Sequence, residues 1–173
     1  NIDQNFAKLK GIEIRNTPNV VIQPVVELTL AMIFDLLRKT TLHTSLIKSG
    51  KWERHVGNLL YGKTVGIMGT GRIGKRISEI LTVLGTNVIA YNIFPDQKWA
   101  ALKKIRYTTK ENLIRISNII SIHISPNDDE KPLITKKEID QMKTGVMIIN
   151  TSRGQFIDEH ALFDGLVTKK IGG

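Results

Sequence analysis

The residues with chemical potential gather at two places in this chain. The first is "VGIMGTGRIGKR", Val65 to Arg76. Gly69, Gly71 and Gly74 fit G-x-G-x-x-G, and Gly69 to Lys75 fits G-x-x-x-x-G-K. Either pattern can lay backbone N–H groups against phosphate oxygens. The second needs a Ser or Thr next, to put a hydroxyl on Mg²⁺, and Arg76 stands there instead. The nucleoside-triphosphate reading therefore fails at one letter. The dinucleotide reading has its required context. A β-rich run, Thr64 to Met68, leads in, and Ile73, Ile77, Ile80, Leu81 and Leu84 follow at helical spacing. There Gly69 permits a tight turn, Gly71 lets the backbone approach a pyrophosphate, and Gly74 lets helix and strand pack closely. A helix starting at Arg72 adds free N–H groups and the positive end of its dipole. The ligand-free alternative is a tight strand-to-helix turn with the same glycines.

The second place is "NTSRG", Asn150 to Gly154, after the apolar run Val146 to Asn150. A guanidinium at a strand's carboxyl end can grip a carboxylate with two parallel hydrogen bonds. Taken alone, Arg153 is better explained by an ordinary surface ion pair. Between these places, Asn92 ends a second β-rich run, Asn87 to Tyr91, where dinucleotide sites usually carry an acid for the adenine ribose. Asn92 can bond a ribose hydroxyl but lacks the charge that repels a 2′-phosphate. Asp96 lies four residues on, past the expected turn. NAD is favoured and NADP stays open.

The elements that must position these groups alternate from Thr64 onward. Strands are expected at Thr64 to Met68, Asn87 to Tyr91, Ile105 to Tyr107, Asn118 to Ile124 and Val146 to Asn150. Helices are expected at Arg72 to Leu84, after a capping box at Thr108 and Glu111, after another at Thr135 and Glu138, and from Asp158 to Lys169. Ile171 begins a further element. Apolar strands alternating with helices imply a parallel sheet covered on both faces, so the fold class is α/β, a doubly wound Rossmann-type sheet. Ligands in such sheets bind at the strands' carboxyl ends, where both clusters fall. Upstream, Asp3 to Leu9 reads as a short helix, Ile12 to Arg15 as a strand and "NTPN" as a linker. A long helix from about Pro24 to Leu37 is apolar on nearly every side, which asks for burial against a second domain or subunit.

Composition bounds the partners. The 173 residues carry a net charge of +9, but the 25 basic residues are scattered and aromatics are only 6%. That pattern does not fit a nucleic-acid surface. No apolar run is long enough for a membrane span. There is no cysteine, which excludes disulfides and thiolate chemistry and suits a cytoplasmic protein. Nothing suggests a metal site. The first residue is Asn1 rather than Met, as expected for a piece of something longer.

The combined motifs resemble a known family. "GKTVGIMGTGRIGKRISEILTVLGTNVIAYN", then "LITKKEIDQMKTGVMIINTSRGQFIDEHAL", is similar to the NAD-dependent D-isomer-specific 2-hydroxyacid dehydrogenases. "NIDQNFAKLKGIEIRNTP" and "SGKWERHVGNLLYGK" resemble the same family, nearest its phosphoglycerate dehydrogenase, serine-biosynthetic branch. The resemblance covers almost the whole chain. It implies that residues 1–18 are the end of a substrate domain and hinge, and that 19–173 are an NAD(P)-binding Rossmann domain short of its final strands. It implies backbone amides of Arg72 and Ile73 on the pyrophosphate, and Asn92 in place of the ribose-binding Asp. His123, Ile124 and Ser125 would line the cofactor cleft, with Ser125 and Pro126 altering the family's H-x-P stretch and Pro132 standing where Gly is common. Thr151 and Ser152 would lie by the nicotinamide. Arg153 would hold the carboxylate of a small 2-hydroxy or 2-keto acid and polarise its carbonyl. Residues 24–60 would form a homodimer contact.

The same resemblance sets a limit. The family's proton donor is a His paired with a Glu, both well downstream of the arginine, after a "G-L-D-V" segment. None of His43, His55, His123 or His160 matches it. His123 reads as a hydrogen-bonded structural histidine. A Ser152, Asp158 and His160 triad has no geometric support, because such residues so close in sequence usually serve caps and turns. The expectation is a dehydrogenase cofactor domain without turnover of its own. The rival class is a binding module, like dehydrogenase-related co-repressors that recruit partners through NAD-linked dimerisation.

Overall fold

Val- and Ile-rich runs supply the strands of one sheet in this computed structural model, which describes residues 2–125 and 132–173. They are β1 (Thr64–Met68), β2 (Asn87–Tyr91), β3 (Arg106–Tyr107), β4 (Ile119–Ile122) and β5 (Met147–Asn150). Their order is β3-β2-β1-β4-β5, and every neighbouring pair is parallel. The helices are α1 (Gln4–Leu9), α2 (Ile22–Arg38), α3 (Thr40–Lys48), α4 (Arg72–Val83), α5 (Gln97–Lys103), α6 (Lys110–Ile116), α7 (Lys136–Gln141) and α8 (Glu159–Val167). The doubly wound Rossmann-type arrangement expected from the sequence is the one observed.

Strand side chains alternate between two cores. Val65, Ile67, Val88, Ala90, Ile119 and Ile149 face α2 and α4, meeting Val26, Ile33, Leu37, Ile77 and Leu81. Met68, Ile89, Ile120 and Ile122 face the other way, meeting Leu113 of α6, Ile139 of α7 and Ala161 of α8. Both faces are covered, so the strands need no polar side. After β5 the backbone begins a further pairing. Ile171 bridges Val146, Gly172 N–H donates to the Val146 carbonyl at 2.7 Å, and Ile148 N–H donates to Gly173 at 2.9 Å. Among the described residues no helix is long and apolar enough to cross a membrane.

Several boundaries differ from the sequence reading, each for a physical reason. Ile12 to Arg15 is not a strand: the segment is exposed and makes no ladder, because an alternating pattern pairs only where a neighbouring strand is present. The α6 cap is Thr109, whose hydroxyl accepts from Asn112 N–H at 3.2 Å. Thr108 instead takes the Asn112 side-chain amide at 2.8 Å. The capping box at Thr135 is present, with Thr135 N–H donating to Glu138 at 3.0 Å. Asp158 caps α8 through Ala161 N–H at 3.0 Å. Two helices are additional. Lys39 turns left-handed (φ 56°) and separates α3 from α2. Asp96 caps α5 through Trp99 N–H at 3.0 Å.

One glycine in β1 shows how tightly α6 is seated. A Cβ at Gly66 would lie 2.4 Å from Ser117 Oγ and 2.6 Å from Leu113 Cδ2. Both neighbours are fully buried. Gly66→Ala should lower unfolding stability by about 1–3 kcal/mol through overpacking. Urea titration followed by circular dichroism measures this, and a loss below about 0.5 kcal/mol would contradict the close seating of α6.

Candidate functional site

The carboxyl ends of β1, β2, β4 and β5 open on one edge of the sheet. The strand order reverses about β1, which lies between β2 and β4. Open α/β sheets hold ligands at this reversal. Here Gly69 turns the chain with φ 93°, and its N–H donates to the Tyr91 carbonyl at 2.9 Å. A Cβ on Gly69 would meet the His123 carbonyl oxygen at 2.6 Å. A Cβ on Gly74 would lie 1.9 Å from the Gly69 carbonyl oxygen, so α4 sits directly on the turn. Gly71 differs from both. Its φ is −68°, and nothing lies within 4 Å of where its Cβ would be. It is also the N-cap of α4, with no side-chain cap and no acid in the first turn. The first-turn amides of Arg72 and Ile73 thus meet open space at the positive end of a twelve-residue helix. This is the geometry that a pyrophosphate fits.

Asn92 is committed to the loop itself. Its Oδ1 accepts from Thr70 N–H at 3.2 Å, and its Nδ2 donates to the Phe94 carbonyl at 2.7 Å. One lone pair and one N–H remain for a ligand hydroxyl. Thr70 Oγ1 is 2.7 Å from the Tyr107 hydroxyl, which accepts from Asp96 N–H at 3.2 Å. A groove of about 480 Å³ runs beside them, lined by Tyr91, Asn92, Pro95, Tyr107, Thr108 and Thr109 among others. Lys75 bonds Asp96 at 2.6 Å.

On the other side of β1, His123 leaves the end of β4. Its Nε2 lies 2.8 Å from Ser121 Oγ, and burial pushes its pKa down to about 4. It is a neutral, hydrogen-bonded histidine at pH 7. Ile124 is half-buried and Ser125 exposed; Pro126 lies outside the described residues, and Pro132 is exposed.

Asn150 organises the second cluster. Its Oδ1 accepts from Ser152 N–H at 3.1 Å and from the Ser152 hydroxyl at 2.7 Å. Its Nδ2 donates to the Arg153 carbonyl at 2.7 Å. The loop Thr151 to Arg153 is closed on this one side chain. Thr151 Oγ1 is 3.3 Å from Thr29 Oγ1, a buried group on α2 that itself donates to Val25 at 2.8 Å. The Arg153 guanidinium is exposed and donates to the Ser152 carbonyl at 2.9 Å. Among the described residues no carboxylate pairs with it. The surface ion pair that would explain Arg153 without a ligand is not formed there.

Sequence reasoning missed Thr29 and the Lys75–Asp96 pair. The only signal for Thr29 is a small polar residue in an otherwise apolar helix, and Lys75 and Asp96 are brought together by α5, an element the spacing did not reveal.

A glycine turn, an uncapped helix and strand ends around a reversal define a dinucleotide-binding domain of Rossmann type. Residues 30–173 match the model for "D-isomer specific 2-hydroxyacid dehydrogenase, NAD binding domain", and the chain belongs to that family. It is 35% identical to a hydroxypyruvate reductase of Thermotoga maritima, over 99% of this chain and 56% of that one. It is also 35% identical to a D-3-phosphoglycerate dehydrogenase of Bacillus subtilis, over 100% of this chain and 33% of the other. A D-lactate dehydrogenase from Lactobacillus jensenii, solved with NAD+, superposes with a TM-score of 0.87 at 25% identity, over 99% of this chain and 52% of its own. The chain thus spans between a third and just over half of these relatives. The cofactor of the family is NAD.

His123 gives a stability test. Its folded pKa of about 4 lies below the unfolded value near 6.5. Between these values the unfolded chain binds more protons, so stability rises with pH over that window and is lost on acidification through it. His123→Asn should flatten the thermal midpoint between pH 4 and 6.5 relative to the parent chain. Parallel profiles for the two proteins would show that His123 titrates normally.

Proposed function

We propose that residues 19–173 are the cofactor domain of an enzyme exchanging hydride between NAD(H) and a small D-2-hydroxy or 2-keto acid. The observation that carries this is Gly71, whose missing side chain leaves open space over the uncapped start of α4. The pyrophosphate rests on Gly69, Gly71, Gly74 and the amides of Arg72 and Ile73. Asn92 takes a ribose hydroxyl with its spare lone pair or N–H. His123, Ile124 and Ser125 form the opposite wall, and Thr151 and Ser152 flank the nicotinamide. Bound NAD supplies the hydride acceptor, or NADH the donor, for the carbon bearing the substrate oxygen. Arg153 grips the substrate carboxylate and polarises the adjacent carbonyl, two tasks that a forked, permanently charged donor can share.

The substrate is proposed at the level of its class. A phosphoglycerate-type acid is supported by the likeness of the "SGKWERHVGNLLYGK" stretch, while the hydroxypyruvate reductase matches at the same identity. Residues 1–18 are proposed as the end of the substrate domain and hinge; the Arg72 guanidinium reaches the Pro18 carbonyl at 3.4 Å, which ties that hinge to the glycine loop. The 173 residues are proposed to bind cofactor without turning over substrate. His123 is neutral and half-buried, His43 and His55 stack on one another at 5.8 Å, and His160 is an exposed first-turn residue of α8. A cytoplasmic location is proposed on the absence of cysteine.

A homodimer through residues 24–60 is proposed from the second face of α2. Val26, Ile33 and Leu37 are buried on the domain, yet Leu28, Met32 and Phe34 are exposed, as are Trp52, Val56 and Leu59 beyond α3. An apolar surface of this extent marks an interface. Sedimentation velocity should give a dimer for the parent chain and a monomer for Met32→Glu with Trp52→Glu; a parent monomer at 50 μM order of concentration sinks this part of the proposal.

The cofactor site has a cleaner test. Gly71 has ordinary backbone angles and no neighbour, so Gly71→Val should keep urea stability within about 0.5 kcal/mol. It should weaken NADH binding, measured by calorimetry, by about tenfold or more, since the branched side chain fills the approach to the amides. Unchanged NADH affinity would defeat the proposed pyrophosphate position.

A further inference from the structure

NAD is selected over NADP by charge. An acid at the end of the second strand accepts from the ribose 2′-hydroxyl and repels a 2′-phosphate. In this chain that position is the uncharged Asn92, already bonded to Thr70 N–H and the Phe94 carbonyl. The next acid, Asp96, is doubly occupied. One oxygen caps α5 through Trp99 N–H at 3.0 Å, and the other lies 2.6 Å from Lys75 Nζ. Lys75 follows the third glycine directly, so its side chain leaves the first turn of α4 and reaches across to the loop after β2. Its ammonium also lies 5.2 Å from the centre of the Trp99 ring. A continuous set of contacts joins Lys75 to the ribose end of the groove: Asp96, the Tyr107 hydroxyl, Thr70 and Asn92.

Of the other charges nearby, Glu111 lines the groove, exposed in the first turn of α6 and without an ion pair among the described residues, and the rest are engaged elsewhere. Glu79 faces Lys103 at 3.4 Å, Arg76 at 3.7 Å and the Trp99 indole at 3.1 Å. Lys110, on the far rim of the groove, is held by Glu138 at 3.1 Å. At the loop after β2, where a typical NAD-selective site is negative, the charges are therefore the matched pair Lys75 and Asp96. The pair is only partly covered, with Lys75 and Asp96 side chains 32% and 45% exposed. Exposed pairs are weak, and a phosphate dianion is a stronger partner for an ammonium than one carboxylate is.

We propose that the adenosine end of this site accepts a 2′-phosphate as well as a free 2′-hydroxyl, with Lys75 as the cation that meets the phosphate and Asp96 as the carboxylate that competes for it. The proposal rests on the dinucleotide reading above and makes the chain a binder of both NAD(H) and NADP(H). The Trp99 ring gives the ammonium a second contact when it leaves Asp96.

Calorimetric titration of the 173-residue chain with NADH and with NADPH tests this. The expected dissociation constants lie within about tenfold of each other, and NADPH affinity falls more steeply with added salt. Lys75→Gln should weaken NADPH by about tenfold while NADH changes by less than about twofold, a charge effect on one ligand only. Asp96→Asn, which retains a capping side chain, should tighten NADPH, and Asn92→Asp should weaken it. NADH binding with NADPH about a hundredfold weaker, or equal losses for both cofactors in Lys75→Gln, overturns the proposal while leaving the NAD site intact. Binding of neither cofactor by a chain folded by circular dichroism defeats the dinucleotide reading itself, and this proposal with it.

Discussion

The site depends on one contact that no side chain could occupy. Gly74 lies against the carbonyl of Gly69, where a Cβ would come within 1.9 Å. That contact sets the start of α4 directly over the turn leaving β1. Gly69 is held in turn between the Tyr91 carbonyl, which accepts its N–H, and the His123 carbonyl, which crowds its Cα. The ends of β2, β1 and β4 are thereby fixed to the same helix terminus. On the opposite face Gly66 lets Ser117 and Leu113 close on β1. The central strand is thus narrow on both sides near the loop, and the helices come closer than Ala at those positions would allow. Rigidity here costs nothing on ligand arrival, because the amides are aimed before anything binds.

The second cluster is positioned from elsewhere. Asn150 folds Ser152 and Arg153 back onto the end of β5, and Thr29 meets Thr151 from α2. Since α2 also carries the exposed Leu28, Met32 and Phe34, one helix borders the sheet, the Thr151 loop and an apolar outer face. A protein covering that outer face would restrict α2, and with it the hydroxyl that touches Thr151. The helix shape allows this because Val26, Thr29, Ile33 and Leu37 recur at three- and four-residue steps on the inward side.

How much of this was legible in the sequence depends on the range of the interaction. The glycine turn was legible because its constraint is local: φ at Gly69 and clearance at Gly74 follow from three positions in one motif. The doubly covered sheet was legible because its strands are continuous apolar runs and α4 keeps a 3.6-residue period. Asn92 was legible as a residue but not as a clamp, since the direction of its amide depends on Thr70 and Phe94. α5 was not legible: seven residues carry too little periodicity, and the Asp96 cap becomes convincing only when Lys75 is seen beside it. Ile12 to Arg15 misled for the opposite reason, a clean alternation that pairs with no strand among the described residues. For Arg153, the residue alone favoured a surface ion pair, and among the described residues no carboxylate pairs with it.

His123 shows why proximity to a cleft is not a catalytic role. Reduction of a keto acid needs a proton at the new hydroxyl, and a general acid works best with a pKa near the working pH. Burial moves His123 the wrong way, to about 4. At pH 7 only about one molecule in a thousand would hold that proton. Its Nε2 is moreover bound to Ser121 Oγ, on the same strand, rather than turned toward Arg153. The position makes sense as architecture instead. The His123 N–H bonds the Met68 carbonyl at 2.7 Å, and its own carbonyl bounds Gly69. His123 therefore joins the ends of β1 and β4 and bounds the glycine turn.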